Sequence, residues 1–361
     1  MGPPFDGRAA SSEGTASRER PGLVEGRRLR AIIAPFQGSV NWRSYAQLAS
    51  SFGPFLLLEV ALYASLDLSY WLTLALAVPA AGFVVRIFII QHDCGHGSFM
   101  ATPAANALVG RLCSLVTMTP YDNWRRQHAG HHVVWNDLDH RDSGIDLYST
   151  CITLEEYRAL RPWARWRYRL MQNPLIALLL LPPLVFMVIY RLPFDTPRSW
   201  IKERLSVHFT NLALLLTVAG LAFWQGLGAV LLVQVPVMAF AAIVGVWLFS
   251  LQHRYENVHW SRRADWDATR AAIEGTSYLK LPWLLDWFTG HIGFHAMHHL
   301  NSRIPNYRLA RAHAALAAVT PLPPPLLLGA ALSASRYAVW DEANNRMIRF
   351  PRLQDRPPAA S

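Results

Sequence analysis

Four stretches of the chain are apolar over about the length that crosses a hydrocarbon core, roughly 20 residues. They run from Tyr45 to about Leu66, Tyr70 to Ile90, Val207 to Trp224 and Ala229 to Leu251. The first two are joined by Ser65-Leu66-Asp67-Leu68-Ser69 and the last two by Gln225-Gly226-Leu227-Gly228, and neither turn carries Lys or Arg. Basic residues are retained on the cytoplasmic side of a membrane. Both turns are therefore expected to face away from the cytoplasm, and both hairpins to open toward it. The pattern predicts an all-α integral membrane protein with four transmembrane helices in two hairpins. Re-entrant or interfacial helices and a cytoplasmic cap complete it.

The segments between the spans refine this. Ala104 to Thr119 is moderately apolar, contains Arg111 and is short for a crossing, so it reads as an interfacial helix. Tyr121 to Leu170 is polar and rich in Arg and Trp. Pro174 to Tyr190 is apolar but interrupted by Pro182-Pro183, with Arg165, Arg167 and Arg169 before it and Arg191, Arg198 and Lys202 after it. A segment that starts and ends on the positive side is predicted to be re-entrant. Four crossings then leave every histidine-rich segment on one face. Ala314 to Ala334 is apolar, but Pro321, Pro323, Pro324 and Pro325 break it, which predicts a surface-lying stretch. The expected organisation is a disordered cytoplasmic tail over 1–40, a membrane domain over 41–313, and an interfacial segment and tail over 314–361. No internal repeat is visible.

Composition agrees with a membrane protein. Of 361 residues, 52% are hydrophobic and 16% charged, well below the roughly 25% charged of an ordinary soluble domain. The net charge of +10 comes from Arg scattered through loops, with no basic recognition helix or RNP-like motif, so it points to topology and not to nucleic acid. Cys94, Cys113 and Cys151 are too few and too irregular for a disulfide framework, which fits a reducing compartment. The first 30 residues hold no apolar run of the signal-peptide kind. The expected location is the inner, cytoplasmic membrane, with the histidines on the cytoplasmic side.

Three histidine clusters carry the candidate chemistry: His92-Asp-Cys-Gly-His96, His128-Ala-Gly-His131-His132 and His295-Ala-Met-His298-His299. Residues at i, i+3 and i+4 share a helix face, so each cluster is expected to project its imidazoles in one direction as a set of metal ligands. Eight imidazoles exceed what one tetrahedral zinc takes, and no clustered thiolates favour Cu(I) or an iron–sulfur cluster. Two metals with open positions are implied. Neutral imidazoles suit a pair of iron ions that bind O2 as co-substrate, while spacing alone leaves zinc in a hydrolase open.

At these residues the chain resembles the membrane fatty acid desaturases, more narrowly the bacterial acyl-lipid desaturases of Δ12 (omega-6) type. The resemblance covers roughly residues 50 to 310. It rests on Gln91 to Phe99, Pro120 to His132, Asn136 to Asp139, Gln252 to Glu256, and Trp287 to Leu300 running into Arg303 to Tyr307. It implies a di-iron centre held by His92, His96, His128, His131, His132, His295, His298 and His299, with a ninth histidine after the last span. By position that ninth ligand is His253, with His259 second. His140, His208, His291 and His313 read as ordinary surface or interfacial histidines. Asp93 is a candidate to accept the free ring N–H of a ligating histidine, or else a solvated helix carboxylate. His140 and Gly144-Ile145-Asp146 depart from the pattern of similar sequences.

The resemblance further implies removal of two vicinal hydrogens from a fatty acyl lipid, with O2 reduced to water. No G-x-G-x-x-G, haem-attachment motif or cysteine cluster is present, so the electrons are expected from a separate donor protein, a ferredoxin or a haem cytochrome. Competing readings are a hydroxylase of the same di-iron class, acting on an acyl chain, an alkane or a carotenoid, and a membrane metal transporter. A transporter places its ligands near the bilayer midplane, whereas these lie outside the spans. Glu59, deep in the first span, is a functional candidate because an intramembrane carboxylate is costly, and no partner at its depth is obvious from sequence.

Overall fold

The computed structural model of the chain describes residues 21–141 and 150–351. The first half of the expected N-terminal tail, the Gly144-Ile145-Asp146 departure and the last ten residues lie outside the described residues. Helix α1 (Pro21–Ile33) precedes the first span, α2 (Asn41–Ser65), and the second, α3 (Tyr70–His96). Then follow α4 (Pro103–Thr117), α5 (Tyr121–Val134), α6 (Leu154–Ala159), α7 (Pro162–Met171) and α8 (Leu181–Met187). The second long hairpin is α9 (Ile201–Gln225) and α10 (Leu227–His253), and five short helices close the chain: α11 (Ala268–Glu274), α12 (Trp283–Phe288), α13 (His295–Leu300), α14 (Asn306–Ala317) and α15 (Leu328–Ala334).

Among the described residues, α2, α3, α9 and α10 are the four helices that are each long and apolar enough to cross a membrane. Their interior prolines, Pro54, Pro79 and Pro236, are tolerable because neighbouring helices and side chains re-satisfy freed backbone groups. The segment expected to be re-entrant turns sharply away from the helix before it: α7 and residues 175–191 meet at 51°. Pro182 and Pro183 withdraw the amides that would bond the carbonyls of residues 178 and 179, and the turns just before them widen to a π-type helix over Leu175–Leu180.

Helix α3 continues past its apolar stretch to carry the first histidine cluster, and stops where Gly97 adopts φ 69°. The left-handed residue lets Gly97 N–H and Ser98 N–H reach back to the carbonyls of Cys94 and Asp93. A second contact sets α5 against this end, since the Tyr121 hydroxyl donates to the Cys94 carbonyl at 2.8 Å. Tyr121 lies so close to α4 that a Cβ on Gly110 would fall 2.2 Å from its ring, a position only glycine fills.

Helix α2 is fastened to the cap by a stripe of buried polar residues at helical spacing. Ser44 donates to the Phe99 carbonyl (2.6 Å), Gln47 to Asn306 Oδ1 (3.0 Å), and Ser51 accepts from Arg86 Nε (3.1 Å). Arg86, buried inside α3, also bonds the Trp287 carbonyl and stacks over the Trp287 ring. Glu59 does have a partner: its Oε2 accepts from Gln234 Nε2 on α10. Gln234 lies 19 residues before His253, roughly 28 Å along the helix at 1.5 Å per residue. The pair thus braces the two hairpins at the end remote from the histidines.

Both expected tails are structured where described. In α1, Leu29 and Ile33 are buried and the helix packs on α14 and α11; their apolar spacing is concealed in sequence among arginines. After α15, β4 (Val339–Asp341) and β5 (Arg346–Ile348) form an antiparallel hairpin, and β4 pairs in parallel with β1 (Ile152–Thr153). A second parallel pair joins β2 (Leu279–Lys280) to β3 (Leu326–Leu327). Trp340, 1% exposed, anchors the hairpin, which packs this region onto the cap.

Candidate metal centre

All nine histidines singled out from sequence gather at the common end of α3 and α10. They fall into two groups, His92, His96, His128, His132 and His298 in one, and His131, His253, His295 and His299 in the other. Within each group the candidate ligand atoms lie within 4.8 Å of one another. The expectation that each cluster projects in a single direction is corrected here. At 100° per residue, i+4 lies about 40° from i, whereas i+3 and i+4 are about 100° apart on opposite sides of it. On α5, His128 and His132 therefore face one group and His131 the other. On α13, His295 and His299 face the second group and His298 the first. Each three-histidine cluster serves both groups, two rings to one and one to the other.

The spacing of ring nitrogens is that of ligands around an ion. Nε2–Nε2 separations are 3.2 Å for His128–His132 and 3.0 Å for His132–His298 in the first group. They are 3.1 Å for His131–His253, 3.1 Å for His253–His295 and 3.0 Å for His295–His299 in the second. Two nitrogens each about 2.1 Å from one ion and at right angles to each other stand about 3 Å apart. Hydrogen bonding between rings cannot account for the pattern, because a neutral ring nitrogen offers one proton or one lone pair. His132, His253 and His295 each present the same Nε2 to two neighbours. His96 Nε2 is buried with no hydrogen-bond partner. A cation in the middle of each group would satisfy these atoms.

Electrostatics favour the ligating form. Burial, then repulsion from neighbouring rings, pushes His128, His132, His295, His298 and His299 well below the usual imidazole range. The rings are therefore neutral and their lone pairs available.

A layer of hydrogen bonds fixes ring orientation. His92 Nδ1 lies 3.1 Å from Asp93 Oδ1, and Asp93 Oδ2 accepts from the backbone N–H (2.6 Å) and side-chain amide (2.8 Å) of Asn306. Donation from Nδ1–H to the carboxylate leaves the Nε2 lone pair facing the group. Asp93 is 2% exposed, so the solvated-carboxylate reading does not hold. Asp93→Asn should weaken metal retention about 10- to 100-fold, measured as metal remaining after equilibration with a graded chelator; unchanged retention would remove Asp93 from this role.

His253 Nδ1 meets Asn136 Oδ1 at 3.1 Å, while Asn136 Nδ2 donates to the carbonyls of His259 (2.8 Å) and Gly275 (2.9 Å). Asn136 adopts φ 55°, the left-handed region that asparagine tolerates better than most residues. It stands in a stretch that carries the family resemblance, but nothing in the sequence assigned it a task. His259 contributes a carbonyl and lies in neither group. His140 and His291 pair with Asp137 (2.8 Å) and Asp286 (2.6 Å), His313 packs on Tyr278 and Phe294, and His208 is exposed on α9. Aromatic rings wall the groups: Trp124 stacks on His128 at 4.6 Å, Trp135 lies 4.6 Å from His299, and Phe249 lies 5.4 Å from His131. Gly95 makes room for Trp124, whose ring would lie 3.0 Å from an added Cβ.

Residues 69–326 match the family model described as fatty acid desaturase. A Bacillus subtilis protein named fatty acid desaturase is 38% identical over 92% of this chain and 92% of its own length. An sn-1 oleoyl-lipid 12-desaturase of Picosynechococcus is 28% identical over 71% of this chain and 73% of its own. An sn-1 acyl-lipid omega-3 desaturase (ferredoxin) of Synechocystis is 28% identical over 64% and 63% respectively.

Proposed function

The chain belongs to the fatty acid desaturase family, and from that premise we propose that it inserts a double bond into the acyl chain of a membrane lipid, at the Δ12 (omega-6) position. The observation that carries the reading is the division of nine imidazoles into groups of five and four, at ligand spacing. In this reading His92, His96, His128, His132 and His298 hold one iron ion, and His131, His253, His295 and His299 hold the other. The Δ12 assignment is supported by the similarity to the Picosynechococcus 12-desaturase.

Bound iron supplies the O2 chemistry that removes hydrogen from unactivated methylenes, which no side-chain acid or base can do. The chain's own residues make that chemistry selective. Asp93 and Asn136 hold His92 and His253 in the tautomer with Nε2 free. Trp124, Trp135 and Phe249 pack against His128, His299 and His131 and hold those rings in place. Helices α3 and α10 deliver ligands at their ends while their apolar lengths suit the bilayer, which would let an acyl chain approach the centre from the membrane side. The centre lies on the cytoplasmic side of the inner membrane in this reading, where a separate electron donor protein has access. The name of the Synechocystis relative includes ferredoxin, which supports a carrier of that kind.

The test is the fatty-acid profile of cells expressing the chain, by gas chromatography and mass spectrometry of derivatised double bonds. A new diene with its added bond at the twelfth carbon is expected. A hydroxylated product, or an unchanged profile from well-expressed, iron-loaded protein, would overturn the proposal.

A further inference from the structure

Two tryptophan routes lead from the histidine groups toward the surface of the cap. One is short: half-buried Trp124 stacks on His128 with its plane tilted by 14°. The other passes from His299 to Trp135, then to Trp266 at 5.3 Å between ring centroids. The charges around the two exits are opposite. Beside Trp124, on the face made by α4, α5 and the start of α9, stand Arg111, Arg125, Arg126 and Lys202. Their carboxylate partners, Asp122 and Glu203, are largely buried beneath them, with Asp195 at the margin bonded by Gln127. Around Trp266, Asp139, Asp265, Asp267, Glu274 and Glu342 outnumber Arg262, Arg263 and Arg270, with Asp137 buried beneath Arg263.

We propose that the face around Trp124, Arg125, Arg126 and Lys202 is the docking surface for an acidic one-electron carrier protein, and that Trp124 bridges the carrier to His128. The inference rests on the desaturase reading, which needs two external electrons per double bond. The acyl chain yields two hydrogen atoms; O2 takes them with two electrons and two solvent protons to form two waters. Each electron leaves an iron–sulfur or haem carrier, which is oxidised by one, so two carriers dock per turnover. Charge decides between the exits: an acidic partner is attracted to the first and repelled by the second. Arg125 is the residue best placed to test this, being exposed and bonded only through Nε to the Gly95 carbonyl among its described contacts.

The experiment uses the full-length, iron-loaded protein in phosphatidylcholine nanodiscs, with an acidic plant-type [2Fe–2S] ferredoxin as probe. Arg125→Glu should weaken ferredoxin binding about ten-fold and flatten its dependence on ionic strength. Arg270→Glu, toward the Trp266 exit, should leave both unchanged. KM for ferredoxin should rise in Arg125→Glu while iron content and turnover driven by reduced methyl viologen stay at wild-type values. Trp124→Leu should oxidise bound ferredoxin more slowly, at ferredoxin concentrations that saturate it, while turnover driven by reduced methyl viologen changes less. Unchanged affinity in Arg125→Glu, or weakening by Arg270→Glu, would overturn the docking assignment. So would loss of ferredoxin binding when the nanodiscs contain phosphatidylglycerol, which would make the cationic face a lipid anchor. Failure of the wild type to desaturate with methyl viologen would instead sink the desaturase reading and leave the binding result standing.

Discussion

His131→Ala and His298→Ala should each abolish desaturation, and each should empty a different metal site. The prediction follows from the crossing geometry of the two H-x-x-H-H clusters. His131 is the one histidine of its cluster that faces His253, His295 and His299, and His298 the one that faces His92, His96, His128 and His132. Removing His131 takes a group of four to three; removing His298 takes a group of five to four. Iron should fall from two toward one per chain in both variants, with the deeper loss in His131→Ala. Turnover should drop by more than about 100-fold, the upper end of what loss of a supporting partner costs a metal site. Membrane extraction should be unchanged, because the spans do not depend on either ring. Metal analysis beside product analysis decides it. Two irons and full turnover in either variant would remove that histidine from the ligand set.

Much of this arrangement is legible in the sequence because it is written in two strong periodicities. Runs of apolar residues place α2, α3, α9 and α10, and the absence of Lys and Arg from the turns at Ser65–Ser69 and Gln225–Gly228 orients both hairpins alike. The parity that follows puts His92, His128 and His295 at one level, and the structure gathers them there. What the periodicities do not carry is azimuth. The spacings i+3 and i+4 look equivalent when a helix face is counted as one direction, yet they are about 100° apart. That difference sends His131 and His132 to different groups. The second omission is α1, whose Leu29 and Ile33 bury against the cap although the local composition is basic. The third is Glu59, whose partner Gln234 is 175 residues away on another span and has no local signal.

The sharpest separation between neighbouring histidines is expected after the last span, where His253→Ala should abolish turnover and His259→Ala should leave most of it. Sequence position ranks the two but does not decide between them, because either stands within reach of the end of α10. The structure distinguishes them by direction. His253 is the last residue of α10, fully buried, with Nε2 at 3.1 Å from both His131 and His295. His259 presents its backbone carbonyl to Asn136, and that carbonyl survives any side-chain change. Asn136 ties the two residues together, since it holds His253 Nδ1 through Oδ1 and the His259 and Gly275 carbonyls through Nδ2. Asn136→Ala should therefore behave as a weaker His253→Ala, lowering iron retention about 10- to 100-fold without removing a ligand. Iron content and diene formation across the three variants give an ordered series: His253→Ala lowest, Asn136→Ala between, His259→Ala near wild type. Inversion of the first and last would move the ninth ligand to His259 and leave Asn136 with a purely structural task, because its amide would then be bracing a loop and not orienting a ligand.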